Sequence, residues 1–349
     1  YDILTCDWSS DVCSSDLNGD KELAKKMIYE AKICGVDAVK FQTFKAKSLI
    51  SRYAPKAEYQ KETTGIDDSQ LEMTEKLELS YDSFIELKEY AESLGLVVFS
   101  TPFDIQSVNF LDSINQKLWK IPSGEITNLP YLQKIGSINR TGKKIILSSG
   151  MATIEEIRKA IDILVNSGTK ESDIILLHCN TEYPTPDCDV NILAIQDLKN
   201  KFPNVRIGFS DHSVGYVAAI GATTLGICLI EKHFTLNKNF AGPDHKASAT
   251  PDEMKALVDN VRRIELMMGN GEKIVTKSER KNKIVARKSI VALKNIRKGE
   301  YFTEENITCK RPGNGISPME WYNIIGEKAE KDFSIDELIT HTGFDCQES

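Results

Sequence analysis

With 349 residues, the chain can hold one large domain and a small one, since α/β barrels run to about 250 residues as a single unit. Its 41% hydrophobic and 27% charged residues fit an ordinary soluble protein, and no apolar run approaches the ~18 residues needed to cross a bilayer. The formal net charge of −7 argues against a nucleic-acid surface, and eight cysteines without a CxxC pair or disulfide-framework spacing point to a reducing cytoplasm.

The chain opens on a foreign stretch. Asp7 to Leu17, DWSSDVCSSDL, is the translation of bases that resemble a widely used sequencing adapter. Residues 1–17 are therefore expected to be an assembly artefact written over the native start, and Cys6, Trp8 and Cys13 are set aside from functional reasoning. From Asn18 onward a unit repeats. Asp20 can cap a helix through Gly35, with Leu23, Met27, Ile28 and Ala31 at helical spacing. The strand Asp37–Phe44 follows. After a long polar connection to about Leu79 come the helix Asp82–Leu94 and the strand Gly95–Phe103. A helix from about Ile105 leads to the strand Leu118–Glu125, and further strands span Lys143–Met151, Asp173–Thr181, Val205–Ser213 and Gly226–Leu236.

Seven strands, each followed by a helix, require a parallel sheet, and the overwritten start lies where an eighth would precede the first helix. Eight such units close into a (β/α)8 TIM barrel; a doubly wound open sheet is the alternative. The barrel is expected to occupy residues 18–269. The charged, apolar-poor run 270–283 reads as an interdomain linker, and 284–349, with its short strands and turns, as a compact second domain. Short strands are expected at Arg287–Leu293, Ile296–Glu300 and Lys310–Ile316.

In a parallel barrel the active site lies at the C-terminal ends of the strands. Those ends are repeatedly polar here: Lys40 and Gln42; Thr101; Lys120, Ser123 and Glu125; Ser148 and Ser149; Asn180, Thr181 and Tyr183; Ser210 and His212; Glu231 and His233. A strand's period of two puts Ser210 with His212, and Glu231 with His233, on one face. A lone strand-end histidine is usually a hydrogen-bonded structural residue. Two at neighbouring strand ends, with carboxylates nearby, suit an open-coordinate divalent metal. Lys40 and Lys120 lie within apolar strands, where an unpaired ammonium is costly, and an anionic ligand held with Ser123, Ser148 and Ser210 resolves that cost. Asp244 is either a turn residue or a ligand contact, and His245 is structural or solvent-facing.

The blocks KFQTFKA, FSTPFD, WKIPSGE, LSSGMAT, LHCNTEYPTP, GFSDHS, EKHFT, GPDH and KRPGNGISP, in order from Lys40 to Pro318, resemble the sialic acid synthase family. The resemblance runs from Asn18 nearly to the C-terminus. It implies a (β/α)8 barrel followed by an antifreeze-like SAF domain, in a domain-swapped cytoplasmic homodimer. The implied reaction joins phosphoenolpyruvate to open-chain N-acetylmannosamine, giving N-acetylneuraminate and phosphate. The implied metal is Mn2+, with Mg2+ or Co2+ as alternatives, on His212 and His233. Lys40, Thr101, Lys120, Ser123, Ser148, Ser210 and either Asn180 or Thr181 match phosphoenolpyruvate-binding positions. Gln42, Tyr183 and Asp244 match positions around the amino sugar, and Arg311 matches one that reaches the partner subunit's site to hold the acetamido group. Glu125, also among the amino-sugar positions, is the carboxylate expected to stabilise charge at C2 and handle protons, beside the catalytic His212 and His233.

The pattern departs from the family at its start. A first strand leading into Glu-Ile-Gly-x-Asn-His-Asn-Gly is expected, yet only Asn18-Gly19 survives, with Leu17 in place of the histidine. A barrel without that strand would expose two sheet edges, fold poorly and be weakly active. Three rival readings remain: a synthase of a related nine-carbon acid such as legionaminic or pseudaminic acid, an impaired protein that only binds phosphoenolpyruvate, and an ice-binding second domain.

Overall fold

The computed structural model describes residues 7–11, 20–55, 69–240 and 244–346, the first of these as backbone only. Leu17 to Gly19 and Ala241 to Pro243 lie outside the described residues. The chain divides into two units, 1–269 and 270–349.

Unit 1 is an eight-stranded parallel sheet alternating with helices. Its strands are β1 Asp7–Asp11, β2 Ala38–Thr43, β3 Val97–Pro102, β4 Leu118–Ile121, β5 Lys144–Ser148, β6 Ile174–Cys179, β7 Arg206–Asp211 and β8 Leu229–His233. The order is β3-β2-β1-β8-β7-β6-β5-β4, and β3 lies against β4, which closes the ring. The first-strand position is filled. Asp7–Asp11 pairs in parallel with both neighbours, Asp11 opposite Lys40 of β2 and opposite His233 of β8. The expected pair of open edges beside β2 and β8 is therefore absent. Backbone hydrogen bonding does not depend on side-chain identity, so these five residues, read above as adapter-like, can still complete the ladder.

The helices are α1 Lys21–Cys34, α2 Ala46–Leu49, α3 Gln70–Lys76, α4 Tyr81–Ser93, α5 Ile105–Ser113, α6 Leu129–Gly136, α7 Ile154–Asn166, α8 Ala194–Lys201, α9 Val217–Thr224 and α10 Pro251–Met268. Their ends follow local chemistry. Asp20 caps α1 through the Glu22 and Leu23 amides, and Gly35 closes it at φ 85°, a left-handed conformation that favours glycine. Thr153 and Glu156 form a capping box on α7, which buries Ile157, Ala160, Ile161 and Leu164 on one face; such a cap contributes about 1 kcal/mol. The connection from 45 to 79, read as polar loop, contains α2 and α3. No helix among the described residues is long and apolar enough to cross a membrane.

Strand alternation sorts the side chains. Val39, Phe41, Leu176, Phe209 and Ile230 face the helices and join the main core. The opposite set, Ala38, Phe99, Ile146, Ile175, Leu177 and Leu229, forms a second cluster inside the ring. This apolar plug dictates Gly208 on β7, where a Cβ would meet Leu177 Cδ2 at 2.5 Å and the Leu229 carbonyl oxygen at 2.9 Å. Two residues further along most of these strands the inward position becomes polar. The plug is thus the floor on which the site rests.

Unit 2 has α11, Lys277–Ala286, which starts within the stretch read as a linker and runs past its end at 283; a capping box of Thr276 and Glu279 starts it. The hairpin β9 Ser289–Ala292 and β10 Ile307–Lys310 is antiparallel. Ile296 makes only an isolated bridge to Phe333, so the strand expected at Ile296–Glu300 does not form, and residues 311–316 continue β10 as loop. The core gathers Ile290, Ile307, Ile316, Ile324 and Ile339 around a Phe302–Phe333 edge contact.

Candidate active site

A cavity of about 450 Å3 opens at the C-terminal ends of the strands. Its floor is polar because the inward position above the plug is Lys40 on β2, Thr101 on β3, Lys120 on β4, Ser148 on β5, Ser210 on β7 and Glu231 on β8. Glu231 is central. Its carboxylate lies 3.0 Å from Lys40 Nζ and 3.2 Å from Lys120 Nζ, and Ser210 Oγ donates to it at 2.9 Å. Lys120 Nζ also donates to Ser148 Oγ at 2.6 Å. All three charged groups are at most 4% exposed. Burial works against the Glu231 carboxylate, but the charges of Lys120 and Lys40, with hydrogen bonds from Lys40 and Ser210, outweigh it and hold the group ionised far below the usual carboxylate range.

Two buried lysines thus meet on one carboxylate in a protein of net charge −7. Thr101 Oγ1 is buried with no hydrogen-bond partner among the described residues. Ser123 Oγ accepts from the Gly150 amide at 3.1 Å. A Cβ on Gly150 would come within 2.6 Å of Thr181 Cγ2 and 2.7 Å of Ser123 Oγ, so glycine is required for these groups to converge. Buried ammonium groups beside several hydroxyls are the chemistry of a small-anion site.

The imidazoles adjoin this floor through Ser210. The His212 and His233 ring centres are 5.4 Å apart at 75°, and Tyr183 packs on both, at 4.1 and 5.4 Å. Burial first, and the neighbouring His233 second, push His212 well below its ordinary value, so it is neutral. Its Nδ1 lies 2.5 Å from the Asn180 carbonyl oxygen and must donate to it, leaving a lone pair on Nε2. Ser210 Oγ is 3.2 Å from that Nε2, yet the single hydroxyl proton of Ser210 is given to Glu231. One proton cannot serve two acceptors. The Nε2 lone pair thus remains available to a cation, and two neighbouring imidazoles fit a divalent metal whose other positions go to substrate or water. Among the described residues, no group of three or more His, Cys, Asp or Glu side chains stands in metal-holding geometry.

The structure gathers most of the expected residues around this cavity: Lys40, Gln42, Thr101, Lys120, Ser123, Ser148, Thr181, Tyr183, Ser210, His212, His233 and Asp244 all line it. Three do not. Glu125 sits on the turn after β4, accepts from Asn128 Nδ2 at 2.6 Å, and faces a separate cavity of about 330 Å3 with Asp104 and Tyr131. Burial raises its pKa. Asn180 contributes its backbone carbonyl to His212, while its side chain accepts from the Glu182 amide at 2.7 Å; of the two candidates at that position, Thr181 is the one in the cavity. Arg311 is an exposed residue of unit 2, its Nε donating to the Ala286 carbonyl at 3.0 Å. His245 is structural, buried 2.7 Å from Thr235 Oγ1. Residue-type reasoning passed over Glu231 as a site residue, although its place two before His233 on a strand was the signal. It also missed α3, which no strand-end rule reaches.

A parallel barrel with polar groups gathered at the strand ends has the layout of barrel enzymes, whose active sites lie on that face. The chain belongs to the NeuB family, whose profile matches residues 27–273, and a SAF domain matches 287–344. It is 52% identical to an N,N′-diacetyllegionaminic acid synthase of Campylobacter jejuni, over 92% of this chain and 95% of that protein. A Legionella pneumophila protein of the same name is 44% identical, over 91% and 88%. Among solved structures, the N-acetylneuraminic acid synthetase of Leptospira borgpetersenii in complex with citrate is 31% identical. It covers 79% of this chain and 90% of its own, with a TM-score of 0.68. The fold is therefore the NeuB-type barrel with a C-terminal SAF domain, and the chain is an enzyme of sialic-acid-type sugar acid synthesis.

Proposed function

We propose that the chain condenses phosphoenolpyruvate with the open-chain form of an acylated amino sugar, giving a nine-carbon 2-keto acid and phosphate, and that the product is N,N′-diacetyllegionaminic acid. The observation that carries the condensation is the buried Lys40–Glu231–Lys120 cluster under a cavity that also holds two neighbouring imidazoles. The motifs alone favoured N-acetylneuraminate; relatives at 52% and 44% identity support the diacetylated product instead.

Phosphoenolpyruvate carries up to three negative charges, and Lys40 and Lys120 supply counter-charge, with Thr101, Ser123, Ser148 and Ser210 as hydroxyl donors. Tyr183, Gln42 and Asp244 are the groups available to orient the sugar. His212 and His233 are the residues that would hold a divalent cation, Mn2+, Mg2+ or Co2+, which when bound makes an aldehyde carbon more electrophilic. A bond forms between C3 of phosphoenolpyruvate and the aldehyde carbon, and the aldehyde oxygen takes a proton. Positive charge develops at C2, water adds there, and phosphate departs. Glu231, held ionised, is suited to stabilise that charge electrostatically rather than to take up a proton. Glu125, half-buried with a raised pKa, retains the proton affinity for acid–base work, though it faces the adjoining cavity.

In this reading the protein works as a cytoplasmic homodimer in which Arg311 of one subunit serves the other's site. The N-terminal residues 1–17 remain, on their adapter-like sequence, a replacement of the native first strand. Phosphate release with mass spectrometry of the product tests the function. Incubation with phosphoenolpyruvate, Mn2+ and either N-acetylmannosamine or the 2,4-diacetamido sugar should yield phosphate and a nine-carbon acid, preferentially from the second. Calorimetric binding of phosphoenolpyruvate without phosphate release from any sugar would refute it.

A further inference from the structure

The cavity has two chemically different halves. The polar floor and the histidines account for one. Across from the histidines, at the exits of β2 and β3, the lining is Phe44, Leu49, Ile50, Met73, Leu77 and Phe103, with Phe44 and Phe103 in edge contact at 6.3 Å. The helix α3 supplies its share by geometry. Gln70, Met73, Thr74 and Leu77 stand at i, i+3, i+4 and i+7, and all four line the cavity, so one whole face of the helix is turned toward the ligand space.

This wall is fixed and poor in donors. Ser69 and Glu72 form a capping box at the start of α3. Just beyond its end, Glu78 is tied to the exit of β2: its Oε1 is 2.5 Å from Lys45 Nζ and its Oε2 accepts from the Ala46 amide at 3.2 Å. Thr74 Oγ1 donates its proton to the Gln70 carbonyl at 2.9 Å, which turns that donor back into the helix. Gln70 is left as the face's amide.

We infer that the α3 face, with Met73 and Leu77, is the specificity surface for the end of the sugar remote from its aldehyde, and that it selects methyl and acyl-methyl substituents over hydroxyls. The inference rests on the synthase reading above. With the aldehyde held at the histidines, the far end of the sugar crosses toward the exits of β2 and β3. A hydroxyl placed against this wall loses its water partners with few groups to replace them, whereas a methyl gains contact. Differences of this kind in apolar pockets are worth about 10- to 100-fold in kcat/KM.

The test compares 2,4-diacetamido-2,4,6-trideoxymannose, its 6-hydroxy counterpart and N-acetylmannosamine on the full chain with Mn2+ and phosphoenolpyruvate, reading phosphate release. The trideoxy sugar should exceed its 6-hydroxy counterpart about tenfold or more in kcat/KM. Met73→Gln, and separately the less buried Leu77→Gln, should erase that preference by raising KM for the trideoxy sugar, with KM for phosphoenolpyruvate unmoved. Equal kcat/KM for the two diacetamido sugars, or a preference that survives both variants, would overturn the inference while leaving the synthase reading standing. No phosphate from any of the three would overturn the synthase reading, and the inference with it.

Discussion

Replacing Glu231 by glutamine keeps the shape of the side chain and removes one charge from a buried three-membered ionic cluster in the barrel. At 3.0 and 3.2 Å from two ammonium groups, the carboxylate gains about 5 kcal/mol from each pair at an effective dielectric near 20. Desolvation of three buried ions offsets most of this. What remains on breaking such a cluster is the cost of leaving charge uncompensated, about 3–5 kcal/mol. For a domain of this size, about 2 °C per kcal/mol translates that loss into a melting temperature roughly 6–10 °C lower for ligand-free Glu231→Gln. The same change makes room for an anion. Saturating phosphoenolpyruvate should restore the missing negative charge, so the ligand-induced rise in melting temperature should be larger in the variant than in the wild type. Turnover should move the other way, falling on the order of 10²-fold as charge at C2 loses its stabiliser. Thermal-shift measurements with and without phosphoenolpyruvate, beside phosphate-release kinetics, read all three. A variant with wild-type melting temperature and an unchanged response to the anion would refute the assignment of Glu231 as the counter-charge of the anion site.

Four further outcomes are expected. His233→Ala should lose more than about a hundredfold in activity with Mn2+ added, because removing a ligand outdoes the 10- to 100-fold cost of disturbing its supports; near-normal turnover would remove the metal role. Gly150→Ala should raise KM for phosphoenolpyruvate by displacing Ser123 and Thr181, which a Cβ would meet at 2.7 and 2.6 Å, while the far-ultraviolet circular dichroism stays unchanged. Behind the site, Lys232 Nζ pairs with Asp211 at 3.1 Å and donates to the Ser213 carbonyl at 2.5 Å. Lys232→Met should destabilise by about 3–5 kcal/mol in urea titration, and adding Asp211→Asn should cost less than the sum of the two single changes. Burial lowers the pKa of His178, whose Nε2 bonds the Val190 carbonyl oxygen. The unfolded chain then binds more protons below the ordinary value of about 6.5, so this contribution is complete above that pH and is lost as pH falls through it. Urea midpoints should drop between pH 7.5 and 5.5, less steeply in His178→Asn, with a residual slope from His212, which is shifted in the same direction.

Much of this protein was legible in its sequence because its barrel rests on local rules. Alternation by two placed Lys40, Lys120, Ser210, His212 and His233 on inward faces, and strand-end polarity marked the mouth. The cap at Asp20 set the start of α1 within a residue. The capping box of Thr276 and Glu279 was equally readable, but the charge of the surrounding run concealed the helix it starts. Other features depended on what lies across space. Glu231 became the hub only when closure of the ring brought β2 and β4 lysines to one oxygen pair. Glu125 shares a motif with Lys120 and Ser123, yet the turn after β4 carries it into a neighbouring cavity. The α3 face acquires meaning only from the wall it completes. The first strand shows the division most plainly. Its likeness to a translated sequencing adapter marked Asp7–Asp11 as foreign, while the tertiary structure seats it between β8 and β2, because a ladder is built from backbone amides and carbonyls that every such sequence carries. Sequence determined which residues could do chemistry; the closed ring decided which of them meet.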